Sequence, residues 1–194
     1  MKRRAAPATD RKGSVRARAK EIAIDVKTFK DQLLAKIFTR FPALFHRWVR
    51  NHQFVEYDDT PWTPYTGRTT QSRVALLTTA GVHLKSDPPF NMRDPAGDPT
   101  FREIPAHATA TDLTITHNYY DHDHADRDVN VVLPLDPLRD LATAGEIGAI
   151  NGRHFSFMGH ILPPHIHTLI HTTAPRVAHL LREDGVDIAI LTPA

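Results

Sequence analysis

Apolar residues recur every three or four positions near the start of the chain and form short continuous runs in its second half. The first pattern predicts an amphipathic helix from about residue 20, with an apolar stripe at Ile22, Val26, Phe29, Leu33, Ile37 and Phe41. Pro42 is expected to end that helix or to open a second one. The second helix would place its stripe at Leu44, Phe45, Trp48 and Val49.

Strands are predicted wherever short apolar or alternating runs occur, over residues 73–79, 112–117, 148–158 and 186–191. The last of these runs is typical of a buried strand. Residues 128–133 are predicted as a further extended piece, 80–86 as a loop and 90–110 as irregular chain.

Two more helices are predicted between the strands. Asp136-Pro137 is a helix start with Pro in the first turn, and Gly145 is its expected C-terminal cap. Thr173-Ala174-Pro175 opens the last helix, which is expected to end at Gly185. Strands that alternate with helices predict an α/β fold, here a layered, mostly parallel open sheet of the Rossmann/flavodoxin-like kind.

In open sheets of this kind the functional groups follow the carboxyl ends of the strands. Ala194 comes directly after the last predicted strand and its short turn. We therefore expect the sheet to be incomplete at its C-terminus, and a reactive residue to follow Ala194.

Charge separates the start of the chain from the rest. Residues 1–20 carry eight Lys or Arg against one acid, whereas the whole chain has a net charge of only +2. We divide the chain into a basic flexible tail (1–19), an amphipathic helical segment (20–51) and an α/β domain (52–194). The tail lacks the interleaved aromatics of single-strand binders, which favours a solvated leader over a nucleic-acid arm. We expect the helical segment to pack on its own domain, which is the commoner case. The alternative is that it binds a partner or a membrane surface.

Several features are missing from the sequence. It contains no cysteine, which excludes disulfides and thiolate metal sites within these residues. No run approaches the roughly 18 apolar residues that span a bilayer, and no apolar core follows the basic start as in a secretory signal. We predict a cytoplasmic protein with neither a membrane nor a nucleic-acid partner.

The densest polar constellation is residues 116–128, where three His and four Asp directly follow a predicted strand. One interpretation is a metal site for zinc, iron or manganese, with the ligands His117, Asp121, His122, His124 and Asp126. A second is a loop that binds substrate or partner and positions a cationic amine. A third is a polar loop whose Asp side chains cap backbone N–H groups.

Five segments carry a family resemblance: RVALLTTAGVHLKSDPPF (73–90), GDPTFREIP (97–105), THNYYDHDHADRDVNVVLPLDPL (116–138), HFSFMGHI (154–161) and DGVDIAILTP (184–193). Together, over about residues 55–194, they resemble the glycine/sarcosine/betaine reductase selenoprotein B family, which includes the D-proline reductase B component. The resemblance does not extend to the first 50 residues. The resemblance implies that the predicted α/β domain is similar to a domain of these reductases.

The resemblance implies an oxidoreductase that cleaves a C–N bond of an amino acid or a related amine. A partner subunit with a pyruvoyl group would hold the substrate, which implies a hetero-oligomer. The nucleophile would be a selenocysteine or cysteine expected just after Ala194, and a dithiol reductant protein would restore it. Low-pKa thiols and selenols are strong nucleophiles at neutral pH. The 194 residues alone would bind no cofactor and lack the nucleophile, so the resemblance predicts that they are inactive by themselves.

The resemblance also marks loop positions without assigning their roles. The residues expected to line the site are His83, Lys85, Ser86, His117, Asp121, His122, Asp126, Arg127, Asp128 and Asn130. They lie on loops that leave the carboxyl ends of predicted strands, where Ala194 is also expected. The alternative function is a non-redox metal-binding protein or metal-dependent hydrolase that uses the loop from His117 to Asp128.

Overall fold

The computed structural model describes residue 26 and residues 29–50 and 63–194, so the predicted basic tail lies outside the described residues. The predicted helical segment forms two helices, α1 over residues 29–40 and α2 over Pro42–Arg50. They are separated at Phe41, because a proline at the first position of α2 has no N–H to continue the preceding helix. No helix among the described residues is long and apolar enough to cross a bilayer.

The main sheet has four parallel strands and one antiparallel edge strand. Its strands are β1 (Arg73–Thr78), β3 (Phe101–Pro105), β5 (Ala149–Ile150), β6 (Arg153–Phe157) and β7 (Ile188–Thr192). β1 is central, with β7 parallel on one side, β5 and β6 parallel on the other, and β3 antiparallel beyond β6. The predicted α/β class and mostly parallel sheet are confirmed, and the Rossmann/flavodoxin-like topology stays a prediction.

The strand predicted over 148–158 is broken into β5 and β6. Arg73 and Val74 pair with Ala149 and Ile150, and the pairing resumes with Leu77 opposite Phe155. Residues 151–154 therefore lie opposite only residues 75–76, which interrupts the ladder as a bulge does. The Leu76 N–H donates instead to the ring Nδ1 of His154, at 3.0 Å, so a side chain supplies the acceptor that the strand does not.

Side chains on the two faces of the sheet enter two separate cores. Val74 and Leu76 of β1 belong to the larger core, with Ile104 of β3. On the opposite face Phe155 and Phe157 of β6 pack against helix α6 (Ala174–Glu183) through Val177 and Leu180. Because alternate residues of a strand face opposite sides, β1 also packs Leu77 against the second core.

A two-stranded antiparallel ribbon lies beside the sheet. It consists of β2 (Val82–Leu84) and β4 (Leu113–Ile115), so the region predicted as the loop 80–86 contains a strand. β3 likewise lies in the region predicted as irregular, 90–110. Both predictions were wrong because these strands are stabilised by distant partners, and their short sequences carry no strand period of their own.

The prediction of an extended segment over residues 128–133 was wrong. Residues Val129–Val131 form a 3₁₀ turn in which the Asp128 side chain accepts the N–H of Asn130. Such local side-chain to backbone bonds compete with strand formation. The turn lies between α3 (Asp123–Arg127) and α4 (Leu135–Thr143), and α4 confirms the helix predicted at Asp136.

The last helix and strand form where they were predicted, but the strand is not buried. A short helix α5 (His165–Thr168) and a π-helical turn (Leu169–Thr173) precede α6. Gly185 has a positive φ of 69° at the turn into β7. Ile190 and Leu191 are 40% and 69% exposed. The prediction of a buried strand failed because, among the described residues, β7 pairs only with β1.

The helices α1 and α2 form an appendage that lies against the polar loop after β4. Gln32 donates to the side chain of Asn118 at 3.2 Å, and the Lys36 ammonium lies 3.2 Å from an oxygen of Asp123. The small residue Ala35 is 8% exposed. Contact with its own domain is thus established for α1, through a mainly polar and small-residue face.

Candidate functional site

The carboxyl ends of β1, β6 and β7 meet at one edge of the sheet. The Gly81 N–H donates to the carbonyl of Phe157 at 2.9 Å, and the Thr79 N–H to that of Thr192 at 3.2 Å. The Ala194 N–H donates to the Thr79 hydroxyl at 3.1 Å. We call the segments 79–81, 158–160 and 192–194 the strand-end junction. In α/β sheets this edge is where ligands bind.

The backbones in the strand-end junction approach one another closely at Gly159. A Cβ at that position would lie 3.1 Å from the carbonyl oxygen of Thr79 and 3.4 Å from that of Ala194. Glycine therefore permits the loop after β6 to lie against the loop after β1 and the end of β7. The Thr192 hydroxyl is 2.6 Å from the carbonyl oxygen of Val132, which ties the end of β7 to the 3₁₀ turn as well.

His117 is a buried, neutral imidazole in the loop after β4. Its ring is 5% exposed, and its Nδ1 accepts the N–H of Tyr119 at 3.0 Å. Accepting at Nδ1 places the proton on Nε2, an atom that is buried without a hydrogen-bond partner among the described residues. Burial lowers the pKa of His117 to about 4, and the charges of His160 and His122 act in the same direction.

Aromatic rings connect His117 to the strand-end junction. The Tyr120 ring lies 4.8 Å from the His117 ring, and its hydroxyl donates to the carbonyl of Ala80 at 3.2 Å. Burial, together with the charge of Asp126, raises the pKa of the Tyr120 phenol. On the other side, Tyr119 stacks on His160 with ring centroids 3.7 Å apart. His117, Tyr119, Tyr120 and His160 form what we call the edge cluster.

The edge cluster can orient a bound group but is poorly suited to exchange protons with it. A His117 with a lowered pKa and a Tyr120 with a raised pKa both stay uncharged at neutral pH. The Tyr120 hydroxyl already donates its proton to the Ala80 carbonyl, whereas the His117 Nε2–H has no partner among the described residues. The chemistry that the uncharged His117 Nε2–H offers is therefore the positioning of a polar or anionic atom at the edge of the sheet.

The three residues predicted on the first loop lie in the ribbon or in the turn that follows β2. His83 is buried in the ribbon, where its Nδ1 donates to the carbonyl of Leu84 and its Nε2 accepts from the Thr116 hydroxyl. Lys85 and Ser86 are exposed in the turn after β2, with the Lys85 ammonium on the carbonyl of Thr111. His83 thus stabilises the ribbon.

The residues of the alternative metal site lie on and before α3. The His122 Nδ1 is 2.7 Å from a carboxylate oxygen of Asp126, Asp121 accepts the N–H of Asp123, and His124 is exposed. Among the described residues no three His, Cys, Asp or Glu side chains are grouped as metal ligands. The five predicted ligands, including His117, are therefore not preassembled into a metal centre.

The remaining predicted residues have local structural contacts. Asp128 caps the 3₁₀ turn, and the Asn130 side chain donates to Asp128 and Asp136 and accepts the Asp136 N–H. This network links the turn to α4. Arg127 is exposed and lines a cavity of about 160 Å³ beside β4.

Sequence reasoning placed His117 correctly in a polar loop but missed its neighbours at the edge. Tyr119, Tyr120, His160, Thr79 and Gly159 were not predicted as site residues. The rule that ligands bind at the carboxyl ends of strands was applied after β1, β4 and β7, and its use after β6 would have pointed to Gly159 and His160. The two tyrosines carry no sequence signal that distinguishes them from core aromatics.

Comparisons with known proteins agree on one family. The family model for glycine/sarcosine/betaine reductase selenoprotein B matches residues 48–194. The D-proline reductase subunit gamma of Acetoanaerobium sticklandii is 40% identical over 131 residues, which cover 68% of this chain and 52% of that relative. The chain therefore spans about half the length of this relative. The comparison with solved structures found no match.

Proposed function

Because this chain belongs to the glycine/sarcosine/betaine reductase selenoprotein B family, we propose that it is part of a reductase subunit that cleaves a C–N bond of an amino acid or related amine. In this reaction the C–N bond breaks, the carbon gains a hydrogen and the nitrogen leaves as an amine. A dithiol supplies the two electrons and becomes a disulfide. The substrate amine is held on a pyruvoyl-bearing partner subunit, so the active form is a hetero-oligomer.

The strand-end junction is the observation that carries this proposal. The end of β7 is fixed between the Thr79 hydroxyl and Gly159, next to the edge cluster. A selenol or thiol supplies a strong nucleophile at neutral pH. These 194 residues contain no cysteine, so the nucleophile comes from outside them. The junction suits such a group because the backbone contacts at Thr79 and Gly159 fix the end of β7 at the ligand-binding edge of the sheet.

The residues of this chain act on the reaction by positioning. The neutral His117 supplies an uncharged Nε2–H donor, and Tyr120, whose hydroxyl donates to the Ala80 carbonyl, holds the loop beside it. An uncharged donor does not compete with the substrate amine for the nucleophile. Tyr119 and His160, stacked on each other, close one side of the edge. Preorganised neutral donors stabilise developing negative charge with little reorganisation.

The test is to purify the native protein with its associated subunits, measure its intact mass and alkylatable selenol or thiol, and assay dithiothreitol oxidation. Glycine, sarcosine, betaine and D-proline are the substrates to compare. We expect amine cleavage stoichiometric with dithiol oxidation for at least one of them. A native complex that consumes none of the four with a dithiol would contradict the proposal.

A matched pair of glycine variants connects the activity to the strand-end junction. Gly159→Val places a branched side chain against the backbone of Thr79 and Ala194, and we expect at least a tenfold loss of kcat. Gly152→Val is the control, because a Cβ there has no neighbour within 4 Å. Equal activity in the two variants, both folded, would remove the junction from the mechanism.

A further inference from the structure

The helical appendage of α1 and α2 turns apolar side chains away from the α/β domain. Ala35 of α1 is buried, and Gln32 beside it reaches the loop after β4. Leu33 lies about 160° around the helix axis from Ala35, at 3.6 residues per turn. Leu33 is 46% exposed, and Phe29, one turn earlier, is 68% exposed. The contact with the domain therefore leaves the apolar stripe of α1 outside.

The second helix and the connection to it add further exposed apolar side chains. Phe41 between the helices and Leu44 on α2 are both exposed. Exposed apolar side chains grouped on one segment mark an interaction surface rather than ordinary solvent contact. We propose that the exposed apolar face of the helical appendage binds the surface of an anionic lipid membrane. This role goes beyond the proposed function and does not rest on it.

The charge of the chain selects the kind of partner. Residues 1–50 carry fourteen Lys or Arg against four acids, a net charge of +10, whereas residues 51–194 carry ten against eighteen, a net charge of −8. Four bases of the helical appendage are exposed: Lys30, Arg40, Arg47 and Arg50. An anionic membrane attracts the first part of the chain and repels the rest, so charge alone orients the appendage toward the lipid.

A membrane surface matches both properties of the appendage at once. Helices that combine Lys and Arg with exposed Phe and Leu lie in the plane of the membrane, where the bases meet anionic headgroups and the apolar side chains enter the layer beneath. This favours the membrane surface as the partner of the helical segment, in place of the sequence-based prediction of no membrane partner.

The family comparison separates this surface from the reductase domain. The family match begins at residue 48, so α1 and most of α2 lie outside the matched residues. The strand-end junction lies wholly within them. We therefore expect membrane binding and reductase chemistry to be separable, and variants of the appendage to leave the junction unchanged.

The experiment measures co-sedimentation of the 194-residue chain with vesicles of phosphatidylcholine alone and of phosphatidylcholine with about 30% phosphatidylglycerol. We expect a partition coefficient at least about tenfold higher for the anionic vesicles. Salt at about 0.5 M should remove most of this difference. Equal binding to the two kinds of vesicle, or no binding of the folded chain to the anionic one, would overturn the proposal.

A matched pair of leucine variants tests the apolar face. Leu33→Gln should weaken binding to the anionic vesicles by about fivefold or more, because the amide does not enter the apolar layer. Leu141→Gln is the control, since Leu141 is 44% exposed on α4, outside the appendage, and this variant should bind as the parent does. Unchanged binding in Leu33→Gln would assign the attraction to the basic tail alone and refute the role of the helix face.

A matched pair of double variants tests the charge. Arg40→Glu with Arg47→Glu, on the appendage, should weaken binding at least about tenfold. Arg176→Glu with Arg182→Glu changes the net charge by the same amount at two exposed positions of α6 and should keep most of the binding. Equal losses in the two double variants would show that binding follows net charge and not the appendage.

Sedimentation velocity without lipid checks whether a second copy of this chain covers the same face. The membrane proposal expects a monomer whose mass does not change in Leu33→Gln. A dimer that Leu33→Gln dissociates would show that the exposed face is an interface between two copies, and would overturn the proposal.

Discussion

Two buried imidazoles, His117 at the edge of the sheet and His154 inside it, have nearly the same local chemistry. Each Nδ1 accepts a backbone N–H at 3.0 Å, and each Nε2 is buried without a hydrogen-bond partner among the described residues. Burial is the main cause that lowers the pKa of each to about 4. They differ in their surroundings: His154 bridges β6 and β1, whereas His117 lies among two tyrosines beside the strand ends.

The comparison shows that a buried neutral histidine with a lowered pKa is not by itself a functional residue. The ladder between β1 and β6 is interrupted, and the His154 ring supplies the acceptor for the Leu76 N–H. His117 solves a similar problem for Tyr119, but its neighbours also reach the strand-end junction. Position relative to the carboxyl ends of the strands, not the shifted pKa, separates the two.

The largest expected effect concerns the loop that holds His160 at the edge. Gly97 has a φ of 88°, and a Cβ there would lie 1.7 Å from the carbonyl oxygen of His160. We expect Gly97→Ala to lower the free energy of unfolding by more than about 3 kcal/mol, measured by urea denaturation. The control is Gly145→Ala, with a φ of 74° and no neighbour within 4 Å. It should lose only about 1 kcal/mol, and equal losses would refute the clash.

The second prediction compares the two histidines directly. His154→Leu leaves the Leu76 N–H without an acceptor in the interior of the sheet, at an expected cost of about 3 kcal/mol. His117→Leu leaves the N–H of Tyr119 without an acceptor in a part-buried place and should cost about 1 kcal/mol. Urea denaturation of both variants decides the order, and a larger loss for His117→Leu would reverse our comparison.

The third prediction is the pH dependence of stability. Both imidazoles have a folded-state pKa of about 4 against an ordinary value of 6.5. Between these values the unfolded chain binds more protons, so stability falls as the pH falls from about 6.5 toward 4. Each imidazole should contribute about 2 kcal/mol of loss between pH 7 and pH 5.

Denaturation of the parent and of His154→Asn at both pH values tests this dependence. The variant lacks one of the two imidazoles and should show a smaller loss on acidification, whatever its stability at pH 7. If the parent is equally stable at pH 5 and pH 7, burial does not lower the pKa of the two imidazoles as we expect.

The smallest expected effect is at Tyr120. Tyr120→Phe removes the hydrogen bond to the carbonyl of Ala80 but keeps the ring beside His117. We expect a loss of about 1 kcal/mol in the free energy of unfolding, typical of one hydrogen bond. Tyr65→Phe removes a phenol that is hydrogen-bonded to the Ser72 hydroxyl, remote in sequence from the edge cluster, and so compares the loss of a phenol hydrogen bond at a second site. A stability unchanged in Tyr120→Phe would mean that this bond does not hold the edge cluster.

The sequence by itself determined the elements whose signals are local. Apolar periodicity, proline and glycine predict the helices α1 and α2 with the break before Pro42, the strand β1, and the helix α6 that ends shortly before Gly185. The order of its motifs also identified the family. These features need only neighbours within a few residues, so a single sequence contains the information.

The tertiary structure alone decided which of these elements meet. Partners far along the chain decide that β2 and β3 form, that β7 is exposed, and that His83 binds Thr116 within the ribbon. The edge cluster assembles in the same way, because Tyr119 and His160 are brought together only when the ends of β4 and β6 converge. Pairing at a distance is set by the packing of the whole sheet, and no local pattern records it.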